Sequence, residues 1–102
     1  MNDDVKEKLA TGCRILALLK VAHDNRGHVS FRVSEKEEML LPRHLHEAGK
    51  GLQDVQANDI ILTDFDGKAI DGSAREPMGE FYAYSEIYRR RPDVKSIAHF
   101  HP

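Results

Sequence analysis

Two histidines one residue apart, His99 and His101, are the strongest candidates for metal chemistry in this sequence. They end a segment, Val94–Phe100, whose apolar residues predict a buried strand. On a strand, residues i and i+2 share a face, with Cα atoms about 6.6 Å apart. Two imidazoles at that separation can bind one divalent ion, each through a nitrogen at about 2.0–2.1 Å. The alternative is two partly exposed histidines at a strand end, and the tripeptide alone leaves both interpretations open.

A second pair with the same spacing, His44 and His46, serves as an internal comparison. It follows Pro42 and enters a segment with helical or loop character. Residues i and i+2 of a helix do not face each other. We therefore interpret these two residues as surface histidines, either of which could reach a pocket singly.

Glu80 is the second candidate for chemistry. It begins a helix predicted over Gly79–Arg91, and one residue of the preceding segment Glu76–Gly79 is expected to cap that helix. A carboxylate in the first turn is stabilised by the helix dipole, which is a sufficient structural explanation for it. A helix and the strand that follows it run antiparallel when the chain reverses, however, so Glu80 and the histidine pair can lie on the same edge.

The remaining elements must position these residues. An amphipathic helix is predicted from the acidic start to about Asn25, and Gly12 inside it indicates a closely packed neighbour. Alternation and β-branched residues predict three strands, Val29–Val33, Met39–Leu41 and Asp59–Asp64. Asp66-Gly67 is a hairpin signal, with Lys68–Ile70 returning. The order of helix, strands, helix and strand predicts an α/β sheet that more chain would complete after Pro102.

Composition limits the function classes. The chain has 102 residues, of which 40% are hydrophobic and 31% charged, with a formal net charge of -2. It is one domain at most, and this balance favours neither nucleic acid nor a membrane as partner. The single cysteine, Cys13, excludes an intrachain disulfide and is predicted to be a buried, inert thiol. No apolar run is long enough to span a bilayer, so we predict a cytoplasmic protein.

Five motifs, in order along nearly the whole chain, resemble the class II aldolase/adducin family. The family's features are a Gly-Asn-(Val/Ile)-Ser turn and strand, an Asp-hydrophobic-Asp-Gly hairpin, a glutamate at a helix start, a Tyr…Arg-Pro-Asp-Val helix end and a His-x-His strand. The corresponding segments here are Gly27–Ser30, Asp64–Gly67, Glu80, Ile87–Val94 and His99–Pro102. No single motif is decisive, but the five together are fairly specific.

The resemblance implies a three-layer α/β sandwich with a central, mainly antiparallel sheet flanked by helices, of which residues 1–102 form the N-terminal part of a single domain. It implies a divalent metal, zinc or alternatively manganese, held by His99, His101 and a third histidine beyond position 102. Glu80 is implied as general acid/base. Relatives are homotetramers with active sites between subunits, so the 102-residue chain alone is expected to be inactive and prone to association through exposed apolar surface.

The departures from the family concern the substrate. Aldolases of the family hold a substrate phosphate with the asparagine, a Thr-Gly turn and a Ser-Ser pair. The residues here are His28, Arg43-His44 and Met78-Gly79. His28 and Arg43 would suit a carboxylate, which a guanidinium binds through two hydrogen bonds, and this resembles the branch of aromatic and pyridine carboxylate decarboxylases. Tyr84 is a further departure, because many relatives carry a histidine there.

The sequence therefore predicts a metal-dependent carbon–carbon lyase acting on a small anionic substrate. Aldol cleavage and decarboxylation of a hydroxy, keto or hydroxy-aromatic carboxylate share an enediolate or carbanion, so both remain open. Two alternatives from the same family remain. One is a non-catalytic, adducin-like scaffold. The other is a sugar-phosphate epimerase, although those relatives tend to carry aspartate where Glu80 stands.

Overall fold

The computed structural model describes residues 2–19, 27–33 and 36–100. In these ranges the regular structure consists of two helices and four strands, together with two 3-10 turns at Leu52–Asp54 and Ala57–Asp59. In chain order they are α1 (Asn2–Leu18), β1 (His28–Arg32), β2 (Glu38–Pro42), β3 (Ile60–Asp64), α2 (Phe81–Arg90) and β4 (Ser96–His99). No helix within these ranges is both long enough and apolar enough to cross a bilayer.

The four strands form one antiparallel sheet in the order β3-β2-β1-β4. The strand β1 therefore lies between β2 and β4, and His28 at its start pairs with His99 at the end of β4. The helices cover opposite faces of the sheet, since alternate residues of a strand point to opposite sides. The predicted sandwich with a central antiparallel sheet is thus confirmed.

One face of the sheet packs against α1. The buried residues of this core are Leu9, Ala10, Cys13, Leu40, Leu45, Leu52, Val55 and Ile60. A Cβ atom added at Gly12 would lie 3.4 Å from the Val29 side chain, which is the close neighbour that the glycine predicts. Burial raises the pKa of the Cys13 thiol to about 11, so the reactive thiolate is scarce at neutral pH and the inert interpretation of this cysteine is supported.

The other face packs against α2. Its buried residues are Met39, Leu41, Ile61, Phe65, Met78, Tyr84 and Tyr88. Tyr84 and Tyr88 are one helical turn apart, so both rings face the sheet. Because Met39 and Leu41 alternate with Leu40, a single strand supplies apolar residues to both cores. This is why β2 reads as an unbroken apolar run.

Polar residues of β1 also face α2. Ser30 shares a hydrogen bond with the Tyr88 hydroxyl, Oγ to Oη 2.7 Å. Arg32 donates to the carbonyl oxygens of Tyr88 and, at 3.0 Å, of Pro92. These carbonyls lie at the C-terminal end of α2, where the helix dipole favours a cation. The two terminal nitrogens of the buried guanidinium thus bond to this end of the helix, whereas its Nε has no hydrogen-bond partner among the described residues. Ser30 and Arg32 together hold β1 against α2.

Two sequence predictions about these elements differ from the structure, and a third falls outside the described residues. The strand β4 was expected to be buried, but it lies at the sheet edge with Ser96 and Ala98 exposed and Ile97 and His99 half-buried. Among the described strands it pairs with β1 alone, and an edge strand covered on one face cannot be fully buried. The first helix is described only to Leu18, so its predicted end near Asn25 falls outside the described residues.

The predicted hairpin after β3 is shorter than expected. The returning segment forms a single bridge, between Thr63 and Ala69, rather than a strand. Gly67 in the turn has φ +86, and a Cβ atom there would lie 2.6 Å from the Phe81 ring. Both the conformation and the space require glycine, so this turn is fixed against the start of α2.

Candidate metal and acid–base site

Glu80 occupies the N-cap of α2, one position before the first helical residue. The expectation that a residue of Glu76–Gly79 caps this helix is therefore wrong. In the described part of the chain the Glu80 side chain makes no capping hydrogen bond. Its carboxylate is thus directed to other partners, and helix capping does not explain it.

Two histidines from neighbouring strands lie beside that carboxylate. His28 of β1 and His99 of β4 are Cα partners in the antiparallel ladder, so their side chains lie on the same face of the sheet. Their ring centroids are 5.3 Å apart and the rings are nearly perpendicular. His28 Nε2 lies 3.9 Å from Glu80 Oε1, and His99 Nε2 lies 3.7 Å from Glu80 Oε2.

The spacing of these three groups suits a metal ion. The donor atoms of His28, Glu80 and His99 all lie within 4.8 Å of one another. The two nitrogen–oxygen distances are too long for hydrogen bonds. They approach the separation of about 3.4 Å between two ligands of a tetrahedral ion bound at about 2.1 Å. Two imidazoles and a carboxylate also form a donor set that zinc and manganese accept.

Tyr84 contacts the His28 ring at Nδ1, the ring nitrogen that does not face Glu80. The Tyr84 hydroxyl lies 2.5 Å from His28 Nδ1 and donates to the His28 carbonyl oxygen at 2.9 Å. A hydroxyl has one proton, so with that proton on the carbonyl the Nδ1–H must donate to Tyr84 Oη. Burial raises the pKa of Tyr84, which keeps its proton at neutral pH. The unprotonated nitrogen of a neutral His28 is then Nε2, which faces Glu80.

Exposure differs across the site. The His28 side chain is 6% exposed, whereas those of His99 and Glu80 are 29% and 42% exposed. A cleft of about 460 Å³ lies beside His99, between β4 and α2, and apolar side chains including Ile97 and Phe100 line it together with Tyr84. The site is closed at His28 and open at the other two donors, so a small molecule could approach from that side.

Arg43, predicted to bind the substrate, lies in a different contact network. Its Nε donates to Asp59 Oδ1 at 3.1 Å, and Lys50 Nζ donates to Asp59 Oδ2 at 2.8 Å. Arg43 also lines a pocket of about 310 Å³ with His44, Arg75, Glu47 and other residues. Its backbone bridges Pro77, three residues before Glu80, so the segment that carries Glu80 also passes Arg43.

Asp59 is buried beneath this pair of cations. Burial alone would raise its pKa, but the ammonium of Lys50, the amide of Gln56 and the guanidinium of Arg43 together hold the pKa of Asp59 below its usual value. The carboxylate stays ionised and fixes the Arg43 guanidinium at the pocket wall. This positioning residue was not recognised in the sequence, where an acid preceding a strand carries no specific signal.

We expect Asp59→Asn to lower the free energy of unfolding by about 1.5–3 kcal/mol at pH 7, the range for hydrogen bonds to charged groups. Because the folded-state pKa is lowered, the wild-type advantage is complete above the ordinary aspartate pKa of about 3.9 and is lost as the pH falls through the folded-state value. Urea unfolding between pH 7 and pH 3.5 measures this. A difference that stays constant below pH 4 would contradict it, and exposed Asp66→Asn should change stability little.

The structure brings three of the five predicted site residues together: His28, Glu80 and His99. Arg43 instead forms an ion pair with Asp59, and His101 falls outside the described residues. His46 is exposed, and half-buried His44 accepts a hydrogen bond from the Glu47 amide, as surface histidines would. The contact between Tyr84 and His28 was not predicted, although each had been noted as a departure from the family.

Residues 7–102 match the family model described as the class II aldolase and adducin N-terminal domain. The chain belongs to this family. It is 33% identical to a 3,4-dihydroxyphthalate decarboxylase from Arthrobacter keyseri, over 95% of this chain and 40% of that protein. It is also 28% identical to human gamma-adducin, over 92% of this chain and 13% of that protein. The relatives of this chain therefore include both a decarboxylase and a protein named as an adducin.

Solved structures agree on the fold. The L-fuculose 1-phosphate aldolase from Glaciozyma antarctica superposes with a TM-score of 0.82 at 27% identity, covering 98% of this chain and 41% of that one. An aldolase II superfamily protein from Pseudomonas syringae gives the same TM-score at 24% identity. The chain spans about 40% of the length of the first relatives that it matches, and these include a decarboxylase and an aldolase, both lyases.

Proposed function

We propose that the intact protein is a divalent-metal-dependent carbon–carbon lyase that acts on a small anionic substrate. The observation that carries the proposal is the convergence of His28 Nε2, His99 Nε2 and the Glu80 carboxylate within 4.8 Å of one another. Such a cluster in a chain related to lyases favours catalysis over a purely structural role. Family membership adds the expectation of a metal, and the donor set described above fits one.

His99 and His101 are proposed as metal ligands, with zinc as the first candidate and manganese as the alternative. A divalent cation, when bound, supplies Lewis-acid stabilisation of the negative charge that develops on the substrate as the carbon–carbon bond breaks. Glu80 is proposed to move a proton to or from the reacting carbon. Its open side and its lack of a capping bond within the described residues support that role.

Arg43 is proposed to orient the anionic group of the substrate. Asp59 accepts from Nε of its guanidinium, and within the described residues the two terminal amino groups have no other bond, so a carboxylate could bind them in bidentate fashion. A planar carboxylate suits this group, and one relative is named for decarboxylation of an aromatic dicarboxylate. We therefore favour a hydroxy-aromatic carboxylate over a sugar phosphate, while aldol cleavage remains the second reaction.

We also propose that the intact protein is a cytoplasmic homo-oligomer. The proposed activity is tested by measuring the metal content and the turnover of this intact protein. One divalent ion per chain is expected, and chelation should abolish release of carbon dioxide from a panel of hydroxy-aromatic carboxylates that includes 3,4-dihydroxyphthalate. Readdition of zinc or manganese should restore it and identify the metal. Activity on fuculose 1-phosphate instead would reassign the reaction to aldol cleavage.

The alternative from another class is an adducin-like scaffold, which the 28% identity to gamma-adducin favours. A scaffold has no need of a metal or of an ionisable Glu80. Intact, oligomeric protein that binds no divalent ion and turns over no member of the panel would support the scaffold and contradict the lyase. A sugar-phosphate epimerase is the other outcome, and it would be detected by conversion of a pentulose phosphate into its epimer with no net release of cleavage products.

A further inference from the structure

We propose that His28 is itself a metal ligand, and that Tyr84 is the residue that positions it. This inference rests on the proposed function, because it assumes that a divalent ion binds at the site. It replaces the sequence-based assignment of His28 to the substrate. It also adds a metal ligand from β1 to His99 and His101, the two ligands expected from the sequence.

The position of His28 in the sheet is the first argument. His28 is paired directly with His99, so the backbone ladder fixes the relative position of the two rings. Both Nε2 atoms face the same carboxylate, at 3.9 and 3.7 Å, in an arrangement too open for hydrogen bonds. A ring used for the substrate would be expected to face the open side of the site. The His28 side chain is instead 6% exposed, on the closed side.

The contact with Tyr84 is the second argument. A histidine that binds a metal through Nε2 carries its proton on Nδ1 and donates it to an acceptor, which fixes the ring and its tautomer. The Tyr84 hydroxyl supplies that acceptor at 2.5 Å, while its own proton goes to the His28 carbonyl oxygen. The bond geometry therefore selects the tautomer of His28 that a metal requires.

The two family departures form one unit, which is the third argument. The resemblance implies asparagine at the position of His28 and, in many relatives, histidine at the position of Tyr84. The structure places these two substituted positions in direct contact, with the ring centroids 5.4 Å apart. A metal-binding nitrogen appears on β1 together with a phenol on α2 that orients it.

The test uses Co²⁺ titration of the intact protein, followed by visible absorption, which reports both affinity and ligand field. Removing an outer hydrogen-bond partner of a metal-bound histidine costs about 10–100-fold in affinity. We expect a loss of this size for Tyr84→Phe and at least as large a loss for His28→Asn, with a changed spectrum. His28→Gln provides a second variant if the first fails to fold, and exposed His46→Asn is the control that should match wild type.

The double variant separates positioning from general stability. If Tyr84 acts through His28, adding Tyr84→Phe to His28→Asn should weaken Co²⁺ binding no further. Folded His28 variants with wild-type affinity and spectrum would overturn the inference. If they also raised KM for a carboxylate substrate, His28 would return to the substrate. Wild-type protein that binds no Co²⁺ would overturn the proposed function as well, which distinguishes the two failures.

Discussion

Glu80→Gln is expected to reduce the turnover of the intact enzyme by about 10²–10⁴-fold while the bound metal is retained. Glutamine has the size of glutamate but cannot accept or deliver a proton at the reacting carbon. The carboxylate lies at the N-cap of α2, is 42% exposed, and faces His28 and His99. Steady-state rates and metal content, measured on the same sample, check both parts of the prediction.

The matched control is Glu86→Gln. Glu86 is exposed on the same helix and pairs with Arg89 and Arg90, so its substitution should leave both turnover and metal content unchanged. Unchanged turnover in Glu80→Gln would remove Glu80 from the mechanism. Loss of the metal together with turnover would instead make Glu80 an essential ligand, and the acid–base role would lose its support.

Tyr88→Ala is expected to lower the free energy of unfolding by about 3–5 kcal/mol, the range for truncating a large buried aromatic residue. The ring of Tyr88 is 1% exposed, stacks on Phe65 at 5.8 Å and lies beneath the Arg32 guanidinium at 4.9 Å. Its hydroxyl also bonds to buried Ser30. Chemical denaturation of the intact protein measures the loss.

Two further variants test the contribution of the Tyr88 hydroxyl and provide a control on the exposed side of the helix. Tyr88→Phe keeps the ring but leaves the Ser30 hydroxyl without its partner, which should cost about 1–3 kcal/mol. Tyr82→Ala removes a tyrosine from the exposed side of the same helix and should change stability little. A Tyr88→Ala variant as stable as wild type would show that α2 is not held to β1 through this residue.

Strand β1 shows what the alternation of residues could and could not predict. The apolar set Val29, Phe31 and Val33 predicted a strand with one buried face, and that face packs against α1. The polar set, His28, Ser30 and Arg32, gives no sign of burial, yet all three are buried. Polar side chains are buried where they find hydrogen-bond partners. Those partners belong to α2 and to Pro92 just after it, 56 to 60 residues further along the chain.

Only part of the site was predicted, because some of its contacts also join residues that are far apart in the sequence. Spacing of i and i+2 indicates convergence within one strand, and it led to His99 and His101. The convergence that the structure describes joins His99 to His28 across two strands, and it depends on the sheet order β3-β2-β1-β4. Local patterns do not determine which strands become neighbours. The position of Glu80 near the end of β4 followed correctly from the reversal of the chain after α2.

The most direct test of the account is anomalous diffraction from crystals of the intact protein grown with zinc or cobalt. The account predicts one anomalous peak in contact with His28 Nε2 and His99 Nε2 and beside the Glu80 carboxylate. A peak away from His99 and Glu80 would contradict the proposed metal site. A peak in contact with His99 that leaves the His28 ring out of contact would contradict only the assignment of His28 as a ligand.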